Sequence, residues 1–110
     1  MKIRDELIGE DLSGVTFVRD YLQLQFNPPP MLNAYTPVTV QCGNESATFG
    51  EKLFANLLLT QLNKSVRDVE FLPDEALRLI FDDQSTISVS LRPADYVCAE
   101  AVNLFCKNKE

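Results

Sequence analysis

The sequence predicts an α+β domain built from two related halves, each a helix followed by three strands, that share one antiparallel sheet. A long central helix is expected to pack on this sheet, and a short helix is expected to end the chain. Two observations support the prediction: a pattern of apolar residues occurs twice, and a long apolar segment with helical spacing separates the two copies. Each half alone would leave one sheet face bare, so the two halves are expected to bury a single core.

The repeated pattern consists of two valines, a strand of alternating leucines that ends in phenylalanine, and a later aliphatic residue. The first copy contains Val15, Val18, the strand from Leu22 to Phe26, and Leu32. The second copy contains Val66, Val69, the strand from Leu77 to Phe81, and Ile87. We therefore expect one domain over residues 1–110, with halves at 1–48 and 49–110. Two unrelated hairpins would produce the same pattern, so duplication remains one of two explanations.

Length and charge narrow the class of protein. A chain of 110 residues can bury one core, and an apolar content of 45% is ordinary for a globular protein. No apolar run approaches the roughly 20 residues of a membrane helix, and the first residues lack the apolar stretch of a secretory signal. We therefore expect a cytoplasmic protein that does not enter a membrane. A net charge of −6 repels nucleic-acid phosphates, so the expected partner is a basic protein.

The first half is predicted to open with a short helix over residues 2–8. Ile3 and Leu7 lie on one side of this helix, and Gly9 is its stop signal. Further along, the strand Leu22–Phe26 alternates apolar residues with glutamine, which is typical of a strand with one buried face. The prolines that follow end this strand, because proline cannot donate a hydrogen bond to a neighbouring strand.

The segment Met31–Gln41 is predicted to be extended again. Pro37 interrupts it, which favours an edge strand or a bulged strand. An exposed edge strand can accept a strand from another chain. This segment is therefore a candidate for binding a partner, or for joining two copies of the chain into a homodimer.

The segment Phe49–Lys64 is predicted to be the long central helix. Apolar side chains surround most of its circumference and leave a narrow polar stripe. Such a helix is expected to be mostly buried and to lie across the sheet. The same surface could instead cover a ligand-binding cavity or a dimer interface.

The second half repeats the strand pattern with a clear hairpin. Ala76–Phe81 and Thr86–Leu91 are predicted strands, and Asp82–Ser85 is the loop between them. Pro93 can begin a final helix. The residues that would share one face of this helix are Cys98, Ala101, Val102 and Phe105.

Several kinds of chemistry are excluded by composition. The chain has no histidine, so His-based acid–base catalysis, His-activated nucleophiles and His-containing zinc sites cannot occur. The three cysteines, Cys42, Cys98 and Cys106, lack metal-site spacing and are expected to be reduced and packed as small apolar residues. No phosphate-binding glycine motif and no serine-hydrolase motif occurs. We expect no enzymatic activity, no metal and no cofactor.

Acidic pairs and tyrosines are the candidate partner-binding residues. They are Asp74, Glu75, Asp82, Asp83, Tyr21, Tyr35 and Tyr96. Asp and Glu also suit the predicted turns for structural reasons, and the segment after Asp82 lacks the ligand spacing of a calcium loop. The tyrosines can either complete the edge of the core or hold a partner's basic side chains.

The stretches Asp20–Phe26, Leu77–Leu91 and Arg92–Tyr96 resemble a group of small bacterial α+β proteins. Similar small acidic proteins serve as immunity partners of secreted polymorphic or contact-dependent growth inhibition toxins. The resemblance covers most of the chain, consists of strand patterns, and assigns no catalytic residue to any position. It implies a binding protein that neutralises a cognate basic toxin domain by covering its active site.

Two other functions remain open on the sequence. The chain could be a structural or assembly module that forms a homodimer through the Pro-interrupted strand. It could also hold a small molecule or an enzyme site under the long helix. The first alternative predicts a stable dimer without a foreign partner, and the second predicts thermal stabilisation by a ligand.

Overall fold

The computed structural model describes residues 2–19, 21–26, 30–96 and 101–105, and these are mostly β: 52% lie in strands and 15% in helices. The helices are α1 (Lys2–Leu7), α2 (Phe54–Leu59) and a 3-10 turn at Pro93–Asp95. The strands are β1 (Leu12–Val18), β2 (Tyr21–Phe26), β3 (Met31–Ala34), β4 (Val38–Cys42), β5 (Glu45–Thr48), β6 (Val66–Leu72), β7 (Ala76–Phe81), β8 (Thr86–Ser90) and β9 (Val102–Phe105). The prediction of an α+β fold organised by a long central helix is therefore wrong.

The strands form two antiparallel sheets rather than the one shared sheet that was predicted. Sheet I has the strand order β1-β2-β3-β9, and sheet II has the order β5-β4-β8-β7-β6. The inner faces of both sheets contribute to one hydrophobic core, whose largest fully buried side chains include Phe26, Phe54 and Phe81. No helix among the described residues is both long and apolar enough to cross a lipid bilayer.

The meander β1-β2-β3 and the meander β6-β7-β8 have the same register. The residues that line up across the strands are Val15, Leu24 and Leu32 in sheet I, and Val69, Leu79 and Ile87 in sheet II. Each first strand also has a bulge at the corresponding place, between Leu12 and Gly14 and between Val66 and Asp68. Val15 therefore corresponds to Val69, whereas the sequence pattern had matched it with Val66.

The fourth strand that follows each meander pairs with the other meander. β4 follows β3 along the chain but joins sheet II beside β8, and β9 follows β8 but joins sheet I beside β3. Corresponding bonds accompany the two crossings: the Tyr35 N–H donates to the Ala101 carbonyl at 2.7 Å, and the Ser90 N–H donates to the Pro37 carbonyl at 3.0 Å. The two halves thus have the same strand pairing, and each contributes its fourth strand to the sheet of the other half.

The segment Met31–Gln41, predicted to be one edge strand or bulged strand, comprises β3 and most of β4, which are both interior strands. β3 lies between β2 and β9, and β4 lies between β5 and β8. Pro37 interrupts the segment because the chain crosses from one sheet to the other there. A homodimer formed by strand pairing along this segment is excluded, because both of its strands already have two neighbours.

The short N-terminal helix is confirmed. Leu7 is fully buried, α1 packs against β6, and Gly9 follows with φ +86°, a backbone conformation that favours glycine. Beyond Gly9 the chain bridges the two sheets, because the Leu12 N–H donates to the Lys64 carbonyl at 2.9 Å. This bridge joins the start of β1 to the start of β6.

The predicted helix over Phe49–Lys64 is reduced to α2. Gly50 adopts φ +103° before α2, and Asn63 adopts φ +72° after it, so helical geometry is broken on both sides. The Asn63 N–H donates to the Leu12 carbonyl at 2.7 Å, which draws this segment into pairing with β1. Phe54, Leu57 and Leu58 are buried in the core without a long helix, whereas Leu53 and Leu59 are exposed. Phe54 and Phe49 pack against Phe17 of β1, with ring centroids 6.2 and 5.8 Å away.

The predicted C-terminal helix is also wrong. The 3-10 turn at Pro93–Asp95 is followed by strand β9, and Cys98 lies outside the described residues. In β9, Leu104 pairs with Leu32 of β3. Pairing with a strand distant in sequence therefore overrides the helical spacing of this short segment.

Candidate functional site

A row of polar side chains crosses the outer face of sheet II. Its members are Glu70, Arg78, Ser88, Thr39 and Thr48, one from each of β6, β7, β8, β4 and β5. Each residue lies directly opposite the next, so all five side chains point to the same side of the sheet. We call this set the sheet II row.

Hydrogen bonds position the members of the sheet II row. Arg78 donates from Nη1 to Glu70 Oε1 at 3.0 Å and from Nε to Ser88 Oγ at 3.4 Å. The hydroxyls of Thr39 and Thr48 lie 2.9 Å apart. Glu70 therefore balances the charge of Arg78, and the row presents hydroxyl groups next to an oriented guanidinium.

A groove of about 370 Å³ lies over this row, and its lining includes every member of the row except Glu70. Its lining includes the small residues Ala76, Thr39, Thr48, Ser88 and Ser90. Larger groups surround them: Pro37, Glu75, Arg78, Arg92 and Asp95. The groove exists because short side chains occupy adjoining positions on β4, β5, β7 and β8.

The rim of the groove is held by bonds between the end of β8 and the turn before β7. The Leu91 N–H donates to the Glu75 carbonyl at 3.0 Å. The Ser90 hydroxyl donates to Asp95 Oδ2 at 2.5 Å and accepts the Arg92 N–H at 3.2 Å. The Glu75 side chain is exposed and has no hydrogen bond or ion pair to another described residue. Two carboxylates thus stand at one end of the groove with unused acceptor capacity.

A second polar cluster, of Gln61, Lys64, Asp83 and Ser85, has a structural role. Lys64 Nζ lies 2.5 Å from Asp83 Oδ2. The Ser85 hydroxyl lies 2.6 Å from Gln61 Oε1 and 2.5 Å from Asp83 Oδ1. Lys64 and Ser85 lower the pKa of Asp83 to about 2. These bonds fasten the β7–β8 loop to the segment after α2. Because Ser85 is only 4% exposed, its hydroxyl is not accessible as a nucleophile.

The structure does not bring the seven predicted partner-binding residues together. Glu75 lines the groove, Asp74 precedes it in the same turn with φ +61°, and Tyr96 directly follows groove residue Asp95. These three of the seven belong to the groove end of sheet II.

The other four lie elsewhere. Asp82 and Asp83 follow β7 at its opposite end, about 20 Å from Glu75 given the rise per residue of a strand. Tyr21 and Tyr35 belong to sheet I, with ring centroids 5.1 Å apart. The prediction therefore combined three separate surfaces.

Most groove residues were not singled out from the sequence. Arg78, Arg92, Thr39 and Thr48 carry no motif and come from separate parts of the chain. One signal was present: Ser88 and Ser90 alternate with apolar residues in β8, which places them on the outer face. That alternation identifies outward positions but not the strands that lie beside them.

Metal binding has no obvious basis in the described ranges, where no group of three or more Cys, Asp or Glu side chains is placed to hold an ion. No protein-family model, no curated protein and no solved structure shows a significant match to this chain.

Proposed function

We propose that this chain is a non-enzymatic, acidic, cytoplasmic binding protein of the immunity type. In this proposal it neutralises a cognate basic toxin domain by covering that domain's active site. The contact surface is the groove end of sheet II, with Asp74, Glu75 and Asp95 as its acidic groups and Tyr96 as an aromatic anchor.

One observation carries the proposal: the groove has unneutralised carboxylates at its rim and a polar floor. The lining of the groove holds two carboxylates, of Glu75 and Asp95, and two guanidinium groups, of Arg78 and Arg92. Glu70 neutralises Arg78 from outside the groove, and Asp74 adds a further carboxylate in the turn before Glu75, so the groove and its surroundings together carry more acid than base. An excess of acid at a partner site raises the rate of association with a basic protein. A flanking tyrosine can then supply buried contact area.

The same geometry argues against hydrolytic or transfer chemistry in the groove. Its hydroxyl groups are bonded to one another, to Asp95 or to Arg78. Activation of a hydroxyl near neutral pH requires a base poised to take its proton, which histidine most often supplies, and the chain has no histidine. The half-buried free thiol of Cys42 is not among the residues of the groove, and it suits a reducing compartment.

The test begins with a tagged chain purified from its own organism, so that a bound partner can be identified by mass spectrometry. The partner is then produced separately and its affinity measured by titration calorimetry at low and high salt. Changing Asp74→Lys and Glu75→Lys together is expected to weaken binding at least about tenfold and to reduce its salt dependence. Producing the wild-type chain should restore growth to cells that express the partner.

The matched control is Asp82→Lys, an exposed carboxylate at the opposite end of β7. This variant should bind the partner with an affinity within about twofold of the wild-type value. Asp82 is farther from the groove than the distance over which salt screens charges under physiological conditions. Equal losses in both variants would contradict the assigned surface. Recovery of the bait alone, as a dimer, would contradict the proposed function and favour an assembly module.

A further inference from the structure

We infer that the groove accepts the side chain of an arginine from the partner polypeptide, held by Glu75 and Asp95. This inference rests on the proposed function, because it names the chemistry that the partner must present. It goes further in assigning a particular recognition site and the residues that form it.

The size of the groove fits one long side chain together with its adjoining main chain. Its volume of about 370 Å³ is near the lower end of the range for ligand sites, and its small floor residues leave the sheet surface accessible. Hydroxyl groups of Thr39 and Ser88 form part of its floor. Such a site suits a polar, extended side chain better than a bulky apolar ligand.

Because Glu70 and Ser88 already engage Arg78, the remaining charges of the lining are the carboxylates of Glu75 and Asp95 and the guanidinium of Arg92, which leaves an excess of one negative charge. Asp95 uses Oδ2 to accept the Ser90 hydroxyl, while Oδ1 has no hydrogen bond to another described residue. Glu75 has both carboxylate oxygens free in the described structure. A planar guanidinium can donate to two carboxylates at once, and such charge-assisted bonds are among the strongest in proteins.

The competing ligand is an anion held between Arg78 and Arg92. Arg78 is less suited to this role, because Glu70 and Ser88 already accept two of its hydrogen bonds. Arg92 alone offers a guanidinium without an ion pair to a described residue at this end of the sheet. An anion would also have to approach the carboxylates of Glu75 and Asp95.

The test is a two-dimensional NMR titration of the full ¹⁵N-labelled chain with N-acetyl-arginine methylamide. Saturable shifts are expected at the amides of Thr39, Ser88 and Ser90, with a Kd on the order of 10 mM for so small a probe. The matched probe is N-acetyl-citrulline methylamide, which has the same shape without the charge. It should bind at least about tenfold more weakly, because it loses the charge-assisted bonds.

The variant Glu75→Gln with Asp95→Asn should abolish the shifts caused by the arginine probe, whereas Asp82→Asn should leave them unchanged. The Asp95→Asn change keeps a side-chain oxygen that can still accept the Ser90 hydroxyl, and well-dispersed spectra verify the fold. Equal binding of the citrulline probe, no shifts at about 50 mM probe, or shifts with acetate in place of arginine would each overturn the inference.

The two proposals can fail separately. If the double variant binds the purified basic partner as tightly as the wild-type chain, the inference fails and Glu75 and Asp95 are not contact residues, whereas the proposed neutralisation of a basic partner stands. If the arginine probe binds as described but the chain has no basic partner, the proposed function fails and the groove keeps its specificity for arginine.

Discussion

The outer faces of the two sheets have polar side chains at corresponding positions but differ in chemistry. The residues that match the sheet II row in sheet I are Thr16, Gln23, Asn33 and Asn103, and we call them the sheet I row. They correspond in order to Glu70, Arg78, Ser88 and Thr39. One backbone arrangement thus supports a neutral row rich in amides and a charged row rich in hydroxyls.

The difference in side-chain size explains why the groove lies on sheet II. Asn33 and Asn103 occupy the positions where sheet II has Ser88 and Thr39, and their amide groups are longer than the hydroxyl side chains. Asn33 is 5% exposed and donates from Nδ2 to the Tyr35 hydroxyl at 3.3 Å, while its Oδ1 has no partner among the described residues. The backbone arrangement that the two halves share therefore supplies the frame, and the different side chains on one outer face create the site.

The largest expected effect tests whether the two halves share one core. Leu24 and Leu79 occupy corresponding positions and are both fully buried. Leu24→Ala and Leu79→Ala should each lower the free energy of unfolding by about 2–5 kcal/mol, through lost burial and a cavity. Urea unfolding followed by circular dichroism should show one transition in both variants.

A matched control is Thr16→Ala, an exposed change in the same meander, which should shift stability by about 0.5 kcal/mol or less. If one leucine variant unfolded in two steps while the other unfolded in one, the halves would be independent. The exchanged strands β4 and β9 make that outcome unexpected, because each sheet contains a strand from both halves.

The next largest effect on stability concerns Asn33 Oδ1, the buried oxygen without a hydrogen-bond partner in the sheet I row. Asn33→Val should raise the free energy of unfolding by about 1 kcal/mol, because it removes a buried acceptor without a partner and adds a residue that favours strands. Ser88→Val at the corresponding position should give no gain, because Ser88 accepts a bond from Arg78. Destabilisation by Asn33→Val would mean that Oδ1 has a partner in solution.

A smaller effect on the free energy of unfolding depends on pH and comes from a difference between two hairpin loops. Both β2–β3 and β7–β8 are closed by the same bond, with the Phe26 N–H donating to the Pro30 carbonyl and the Phe81 N–H donating to the Ser85 carbonyl, each at 2.9 Å. In sheet II the Lys64–Asp83 ion pair also links the β7–β8 loop to the segment after α2. Because the pKa of Asp83 falls from 3.8 to about 2 on folding, its stabilisation is present above pH 3.8 and is lost as pH falls through about 2.

Asp83→Asn should therefore cost about 1 kcal/mol near neutral pH, a value reduced for solvent screening because the Asp83 side chain is 45% exposed. The difference from the wild-type chain should shrink as the pH is lowered from 3.8 towards 2. Urea unfolding at several pH values in this range measures the difference in free energy of unfolding, and Asp82→Asn is the control in the same loop. A cost that stays constant with pH would show that the carboxylate charge is not its source.

The sequence predicted the parts of the fold that depend on local spacing. The strands at Leu22–Phe26, Ala76–Phe81 and Thr86–Ser90 are confirmed, because strict alternation marks a half-buried strand without knowledge of its neighbours. The helix predicted over Phe49–Lys64 is wrong, because its apolar residues fill the core from turns as well as from α2. The apolar content of a segment alone does not show whether its backbone forms a helix or a series of turns.

The pairing of distant strands could not be read from local spacing, although one signal was present. Val38–Cys42 and residues 102–106 both have valine first, an aliphatic residue third and cysteine fifth. This match identifies the fourth strand of each half and would have argued against a C-terminal helix. The groove depends on the same distant pairing, since Thr39 and Ser88 become neighbours only when β4 crosses to sheet II.

The smallest expected effect separates folding from recognition in the sheet II row. Glu70→Thr and Arg78→Gln install the residues found at the corresponding positions of sheet I. A double-mutant cycle by urea unfolding should give a coupling of about 0.5 kcal/mol that decreases at high salt, because these side chains are 44% and 35% exposed. A coupling above about 2 kcal/mol would instead make the ion pair a structural requirement of sheet II. With the small value, a neutral row would hold the sheet equally well, and the Glu70–Arg78 ion pair would not be a requirement of the fold.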